Sequence, residues 1–314
     1  MEKISADSSR LVCDPLTGDL VILAPARRFR PHALIGKAVK PETKPKDPFS
    51  AAALKRHEKV LAVYGRGNFK CTAIQNIYPV FHEDRELVGH QEILVEGPES
   101  KPFASFSVAQ MAAVLTAMAE RSKVLRRDPK LKYLVLFKNE GREAGASQLH
   151  PHSQIFGVSF VPKRLKELQA RRRRLKSAHA QALKLATEGL TIFSDKNIVA
   201  FADPASRFGY GVRILTRRKL DNITQAKPAE LQSLAKALFA LMPLIRKRGL
   251  SYNFYFHDIF ADKNEIFEIR FAPRSNIWAG FELDSGLIVN PVPAEAAARE
   301  YKKTVDGRRQ TIAE

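Results

Sequence analysis

The chain has 314 residues but only two cysteines, Cys13 and Cys71, and one tryptophan. Two cysteines cannot make the disulfide framework of a small secreted domain, so a reduced, cytoplasmic setting is expected. Both cysteines are expected to be small buried fillers rather than nucleophiles. No apolar run is long enough to span a membrane. The opening residues, MEKISADSSRLVCDP, lack the apolar stretch of a secretory signal, so export is not expected. Acidic residues are the minority, 33 against 52 Lys and Arg, for a net charge of +19. Such a surplus attracts polyanions: nucleic acid, acidic membrane surfaces or phosphorylated small molecules. The sharpest basic run, RRRRLK at 171–176, reads as a solvated helix face. No RNA-recognition signature, zinc finger or basic zipper accompanies it, so nucleic acid is not an expected partner.

What is present is an ordinary globular composition, 45% hydrophobic, with enough chain for one large domain or two medium ones. Residues 20–25 (LVILAP) read as a strand after the turn signal DPLTGD, and residues 36–59 as an irregular loop. A strand at 91–96 (QEILVE) precedes a helix capped by Ser107, with Gln110 three residues on as in a capping box. Strands at 133–139 (YLVLFKN) and 152–160 follow, then one charged helix over roughly 163–186. The pattern then restarts: a strand at 212–216, a helix opened by Pro228 and closed by Gly249, strands at 252–256 and 266–271, and a last helix near Pro293. Strand, helix, strand, strand thus occurs twice, which reads as a duplicated α+β unit with its boundary in the basic helix. Matching the two last strands sets His150, His152 and Gln154 against Ile266, Glu268 and Arg270, so one catalytic centre per chain is expected.

That centre is sought in NEGREAGASQLHPHSQIFG, residues 139–157. Alternate residues of a strand share a face, so His150, His152 and Gln154 point one way. A neutral imidazole is a good nucleophile toward phosphorus, and Gln154 could hydrogen-bond a phosphate oxygen. Gly141 and Gly145 let the preceding loop bring backbone N–H groups to an anion, with Ser147 and Asn139 as neutral donors. These parts suit phosphoryl or nucleotidyl transfer, which relies on positioning and charge stabilisation. The bland alternative is a pair of structural histidines; a second is metal chelation by histidines two residues apart. Absent Cys pairs argue against the usual Cys/His zinc site.

At these residues the chain resembles the galactose-1-phosphate uridylyltransferase branch of the histidine-triad superfamily, which carries Asn…Gly-Ala-Ser…His-Pro-His-x-Gln. The resemblance extends in order to DPLTGDLVILAPARRFRP (14–31), QNIYPVF (75–81), GHQEILVEGPES (89–100), YNFYFHD (252–258) and PRSNIWAGFELDSGLIVNPVPAEAAA (273–298). It implies an α+β fold of two tandem histidine-triad-like domains, antiparallel sheets with packed helices. The expected division is 1–165 with the motif, a basic helical linker at 166–190, and 191–314. The resemblance implies a nucleotidyltransferase that exchanges a nucleotidyl group between a nucleotide sugar and a hexose 1-phosphate through a covalent His152 intermediate. Gln154 would contact the phosphate, and His150 would shape the strand. Asn76, Asn139, Gly145 and Ser147 would line the nucleotide site. Arg27, Arg28 and Arg30 stand where phosphate-binding arginines are placed, and Glu282 would contact the hexose. A homodimer is expected.

The departures bear on metals. Where the family's zinc-bearing members have Cys-x-x-Cys, this chain has Asp47 and Ser50; Ser100 replaces a histidine, and only His150 of that set remains. The His-x-His of a second metal site is Ile266-Phe267-Glu268, leaving His257. No metal and no cofactor are therefore expected. The Gln-Arg pair that helps bind hexose is not visible after Glu282, which leaves the sugar open. An ADP-sugar phosphorylase or dinucleoside polyphosphate phosphorylase is the alternative within the same chemistry. A nucleic-acid-binding protein on this fold and a non-catalytic nucleotide-binding module are the alternatives outside it.

Overall fold

The structure, a computed structural model, describes residues 9–29, 47–65, 67–81 and 88–311. In chain order its strands and α-helices are β1 (Arg10–Cys13), β2 (Leu20–Leu23), α1 (Ala51–Lys55), β3 (Val60–Tyr64), β4 (Cys71–Gln75), β5 (Gly89–Glu96), α2 (Val108–Leu125), β6 (Tyr133–Glu140) and β7 (His152–Val158). Then come α3 (Lys163–Arg174), α4 (Ala178–Lys184), β8 (Thr191–Ser194), β9 (Ile198–Ala202), β10 (Val212–Thr216), α5 (Pro228–Arg248), β11 (Tyr252–Ile259), β12 (Glu268–Pro273), α6 (Gly280–Ser285), β13 (Ile288–Asn290) and α7 (Ala294–Thr311).

Local signals account for the main elements. The Ser107 hydroxyl accepts from the Gln110 N–H while the Gln110 side chain accepts from the Ser107 N–H, so the capping box opens α2 as its sequence suggests. Pro228 stands in the first turn of α5, where its missing N–H costs nothing, and Gly249 closes that helix at φ 61°, a conformation that favours glycine. Alternation of apolar residues puts Leu94, Leu134, Leu136, Ile155, Ile214, Phe254, Ile269 and Phe271 into one core with α2, α5 and α7.

The tertiary result is a ten-stranded sheet in the order β3-β4-β5-β7-β6-β11-β12-β10-β9-β8. Its pairings are antiparallel throughout. The strands fall into two sets of five with the same order, β3-β4-β5-β7-β6 and β8-β9-β10-β12-β11, joined where β6 meets β11. In each set a long helix, α2 or α5, connects the third strand to the strand at the join. The fold is thus α+β with antiparallel sheet and packed helices, but the two halves share one sheet. Three short strands, β1-β2-β13, form a separate sheet with one parallel pairing. It is anchored to the second half by the buried ion pairing of Arg213 with Asp14. Asp14 also accepts from the Leu16 N–H at 2.8 Å, which makes the DPLTGD turn.

Several expectations need correction. Residues 51–55 of the expected loop are helical, and Ser50 caps them. The charged helix is two helices, α3 and α4, broken near Leu175, whose backbone is extended. The RRRRLK run is not wholly solvated: Arg172 is buried, because it faces Glu265 and Glu268 rather than water. The strand expected from Ile266 begins at Glu268, and the one expected to end at Phe256 runs to Ile259. Cys71 is buried in the core, but Cys13 is exposed on β1, a strand open to solvent on one side.

Candidate active site

The sheet face opposite α2 and α5 carries the motif. Alternation on β7 turns Ser153 and Ile155 toward the helices and His152 and Gln154 away from them. His152 is 5% exposed and His150 2%. The Phe49 ring, just before α1, lies 5.1 Å from the His152 ring and 6.2 Å from that of His150.

The two imidazoles are engaged differently. His152 Nδ1 lies 2.9 Å from the His150 carbonyl oxygen. A carbonyl only accepts, so Nδ1 carries the proton and Nε2 keeps its lone pair. Among the described residues Nε2 has no hydrogen-bond partner. Burial lowers the basicity of His152, and the nearby Lys138 charge adds to this; the His150 carbonyl and Glu140 oppose it without reversing it. The ring is therefore held neutral, as a nucleophile must be. His150 meets an acceptor at each nitrogen: Asp47 Oδ2 at 2.9 Å from Nδ1 and the Gly97 carbonyl at 3.1 Å from Nε2. Neither nitrogen is free for attack.

Beneath β7, on the helix side, Lys138 is fully buried. Its Nζ donates to Glu96 at 2.8 Å and to the His152 carbonyl at 3.2 Å, and it sits 4.9 Å from the Phe103 ring centre. Ser153 Oγ donates to the same Glu96. This cluster fixes the backbone that carries His152. Sequence reasoning missed Phe49, Glu96 and Lys138. The available signal was a charge at a core-facing position in each of two apolar strands, QEILVE and YLVLFKN.

Other expected site residues are placed as follows. Asn139 lies one place along the same face of β6 as Phe137, which pairs with Gln154, and its Oδ1 accepts from Asn253 Nδ2 at 2.8 Å. Asn139, Ser147 and His150 line a cavity of about 370 Å³ with Gly141, beside the motif. Gly145 has φ 83°, and a Cβ there would stand 3.9 Å from the Asn139 amide nitrogen, so backbone conformation rather than crowding calls for glycine. Asn76 is half-buried after β4, its Oδ1 accepting from the Tyr78 N–H at 2.8 Å. Gln154 is half-buried, and its side-chain amide has no hydrogen-bond partner among the described residues. Arg27 is exposed in a 3₁₀ turn after β2. The Arg28 side chain and all of Arg30 lie outside the described residues. Glu282 is buried in α6 and accepts from the Ala279 N–H at 3.0 Å. Among the described residues no hydrogen bond or ion pair joins Arg27 or Glu282 to His150–Gln154, and neither lines the cavity that holds His150.

Residues 68–162, which hold β4 through β7 and the motif, match the family model of the galactose-1-phosphate uridyl transferase N-terminal domain. Over these residues the chain is similar to the galactose-1-phosphate uridylyltransferase family. It is 23% identical to the galactose-1-phosphate uridylyltransferase of Thermotoga maritima, over 93% of this chain and 97% of that one. It is 22% identical to the ADP-glucose phosphorylase of Arabidopsis thaliana, over 96% and 95%. The fold matches the crystal structure of an Arabidopsis ADP-glucose phosphorylase with bound ADP-glucose, with a TM-score of 0.82 over 94% of this chain and 99% of that one, at 21% identity. A uridylyltransferase structure matches with a TM-score of 0.73 over 96% and 99%, at 22% identity.

The metal sites that uridylyltransferases of this family imply do not fit the residues present. Both His150 nitrogens are engaged by Asp47 and Gly97, Ser50 is spent as a helix cap, and Ser100 is exposed. At the second site His257 Nε2 lies 3.4 Å from Glu265, and the Arg172 guanidinium pairs with both Glu265 and Glu268. A guanidinium between the carboxylates repels a second cation. Among the described residues no group of three or more His, Cys, Asp or Glu is arranged to hold a metal ion. Nor is any helix there long and apolar enough to cross a membrane.

Proposed function

We propose that this protein is a metal-independent nucleotidyltransferase that passes a nucleotidyl group through His152. The reading is carried by one observation: a buried neutral imidazole whose Nδ1–H is spent on the His150 carbonyl, with Nε2, on the same strand face as the Gln154 amide, free of any hydrogen bond among the described residues, as that amide is. Nε2 attacks the α-phosphorus of a nucleotide sugar. The N–P bond forms as the bond from phosphorus to the bridging oxygen breaks, and the sugar 1-phosphate leaves with the electron pair. The Nδ1–H···O=C bond steadies the charge that attack puts on the ring. A phosphate oxygen of the acceptor, a hexose 1-phosphate, then attacks the same phosphorus and releases Nε2. One hard displacement becomes two easier ones, so kinetics are ping-pong.

In this reading Gln154 donates to a phosphate oxygen, and Asn76, Asn139, Gly145 and Ser147 bound the nucleotide. Arg27, Arg28 and Arg30 bind phosphate, and Glu282 contacts the hexose. Because neither Arg27 nor Glu282 lines the cavity that holds His150, a homodimer that supplies them from the second copy is part of the proposal. So are the division at 165 and 191 and a cytoplasmic setting. A second reading, an ADP-sugar phosphorylase with inorganic phosphate as acceptor, draws on the similarity to ADP-glucose phosphorylase over nearly the whole chain.

Intact mass after incubation with UDP-glucose, ADP-glucose and diadenosine polyphosphates in turn separates these readings. A nucleotidyl adduct that is acid-labile, base-stable and absent from His152→Asn is expected, and the nucleotide that forms it names the base. An adduct on His150, or no adduct while His152→Asn keeps full activity, would sink the mechanism.

A further inference from the structure

The second half has its own cavity on the same sheet face. The register aligns Gln154, Phe137, Tyr255 and Arg270 in one row across β7, β6, β11 and β12. Arg270 thus stands in the second half as Gln154 does in the first. Above Tyr255 and Arg270, under α3 and the β1–β2 turn, lies a cavity of about 340 Å³. That is within the range of small-molecule sites, and it suits a body the size of a sugar phosphate.

Its charges are matched in pairs, with one exception. Arg270 binds Glu268 at 3.0 Å, Arg213 binds Asp203 at 3.0 Å, and Arg164 binds Asp19 at 2.6 Å. Arg207, half-buried in the wall, has no carboxylate within ion-pair distance among the described residues. Its guanidinium rests 4.9 Å from the ring centre of Trp278. Burial lowers its basicity and the Arg164 charge lowers it further, with Asp19 opposing. A half-buried cation next to a second guanidinium, without its own counter-ion, is a place where an anion relieves an electrostatic cost. Tyr133, Tyr255 and Phe208 supply flat apolar walls. The imidazole of this cavity, His257, faces Glu265, and Glu268 is committed to arginines, so no nucleophile is left over.

We propose that this cavity is a second, non-catalytic ligand site that takes a small phosphate monoester, its phosphate on Arg207 and Arg164 and its body against Tyr133 and Tyr255. The inference is independent of the chemistry at His152, since the cavity could hold such a ligand if His152 did nothing.

Trp278 is the sole tryptophan of the chain, so its fluorescence reports on Arg207. Titration with glucose 1-phosphate should give a saturable change in wild type and His152→Asn alike. Calorimetry on the same proteins should show an event that Arg207→Ala weakens about tenfold or more, as expected for loss of a charge-assisted contact. Leu165→Phe, which fills the cavity from α3 without adding a tryptophan, should abolish the event. Inorganic phosphate should bind more weakly than the ester. The proposal is overturned by absence of a saturable signal, by an event that survives both Arg207→Ala and Leu165→Phe, by equal affinity for bare phosphate, or by an event lost in Gln154→Ala and kept in Arg207→Ala, which would belong to the first half.

Discussion

The two halves of the sheet share strand order, helix placement and face, yet hold opposite kinds of chemistry. On the first half, β7 presents His152 with an unspent nitrogen and Gln154 with an unspent amide, under the Phe49 ring. On the second, β12 presents Glu268 and Arg270, and each is held in an ion pair. Burial alone would raise the Glu268 carboxyl, but Arg270, Arg213 and Arg172 outweigh it and hold it at about 2. The difference teaches that topology supplies a face, while reactivity depends on whether the groups on it still have lone pairs and donors to give. A buried charge cannot be left unpaired, so the second half neutralises its charges in a network, whereas a neutral imidazole tolerates burial without a counter-ion.

The comparison breaks most visibly at His152, the proposed nucleophile. His152→Asn should lower turnover by about 10³-fold or more while nucleotide binding persists, because only the attacking nitrogen is gone. Glu268→Gln at the matching strand position should leave kcat within about twofold. Single-turnover kinetics on both decide it, and equal losses would mean that the halves are not chemically distinct.

Next is the network. Arg172→Met leaves Glu265 and Glu268 buried without that guanidinium and should cost about 3–5 kcal/mol in urea unfolding, whereas Arg173→Ser on the exposed side of α3 should stay within about 0.5 kcal/mol. Similar values for the two would contradict the buried pairing.

A smaller effect is expected from the clamp on the first half. Asp47→Asn and His150→Asn should each lower kcat about tenfold, by loosening the strand that aims His152, a misplacement well under the ~1 Å that costs about 100-fold. Neither should remove the covalent adduct; if either does, His150 is more than a positioning residue.

The smallest effect is pH dependence. The folded value of His152 lies below the ordinary one near 6.5, so the unfolded chain binds more protons in the window between them. Stability and kcat/KM should both hold above about pH 6.5. Stability should decline as pH falls from there toward the folded value, and kcat/KM should fall as pH passes through it. His152→Asn should flatten the stability decline, and equilibrium unfolding across pH 5–8 measures it. Glu268, held low, contributes stability above its ordinary carboxylate range that is lost only as pH falls toward 2.

Much of this was readable in the residues themselves. The 139–157 segment announces a strand that turns His152 and Gln154 one way, because strand alternation is a property of the backbone alone; His150, expected on the same strand face, lies before β7. The capping box at Ser107, the Pro228 and Gly249 ends of α5, and the repeated strand-helix-strand-strand order are local for the same reason. Long-range contact decided the rest. Nothing local says that Arg172, third from the end of α3 and flanked by exposed arginines, turns inward; Glu265 and Glu268, more than ninety residues away, decide it. The free nitrogen of His152 is likewise set by a carbonyl two residues back that points at the ring only when β7 is seated on Lys138 and Glu96. The sequence by itself determined which groups this protein can use, because residue type sets acidity, nucleophilicity and strand parity. Only the tertiary structure decided which of those groups are left free, because pairing depends on what the fold brings within hydrogen-bond reach.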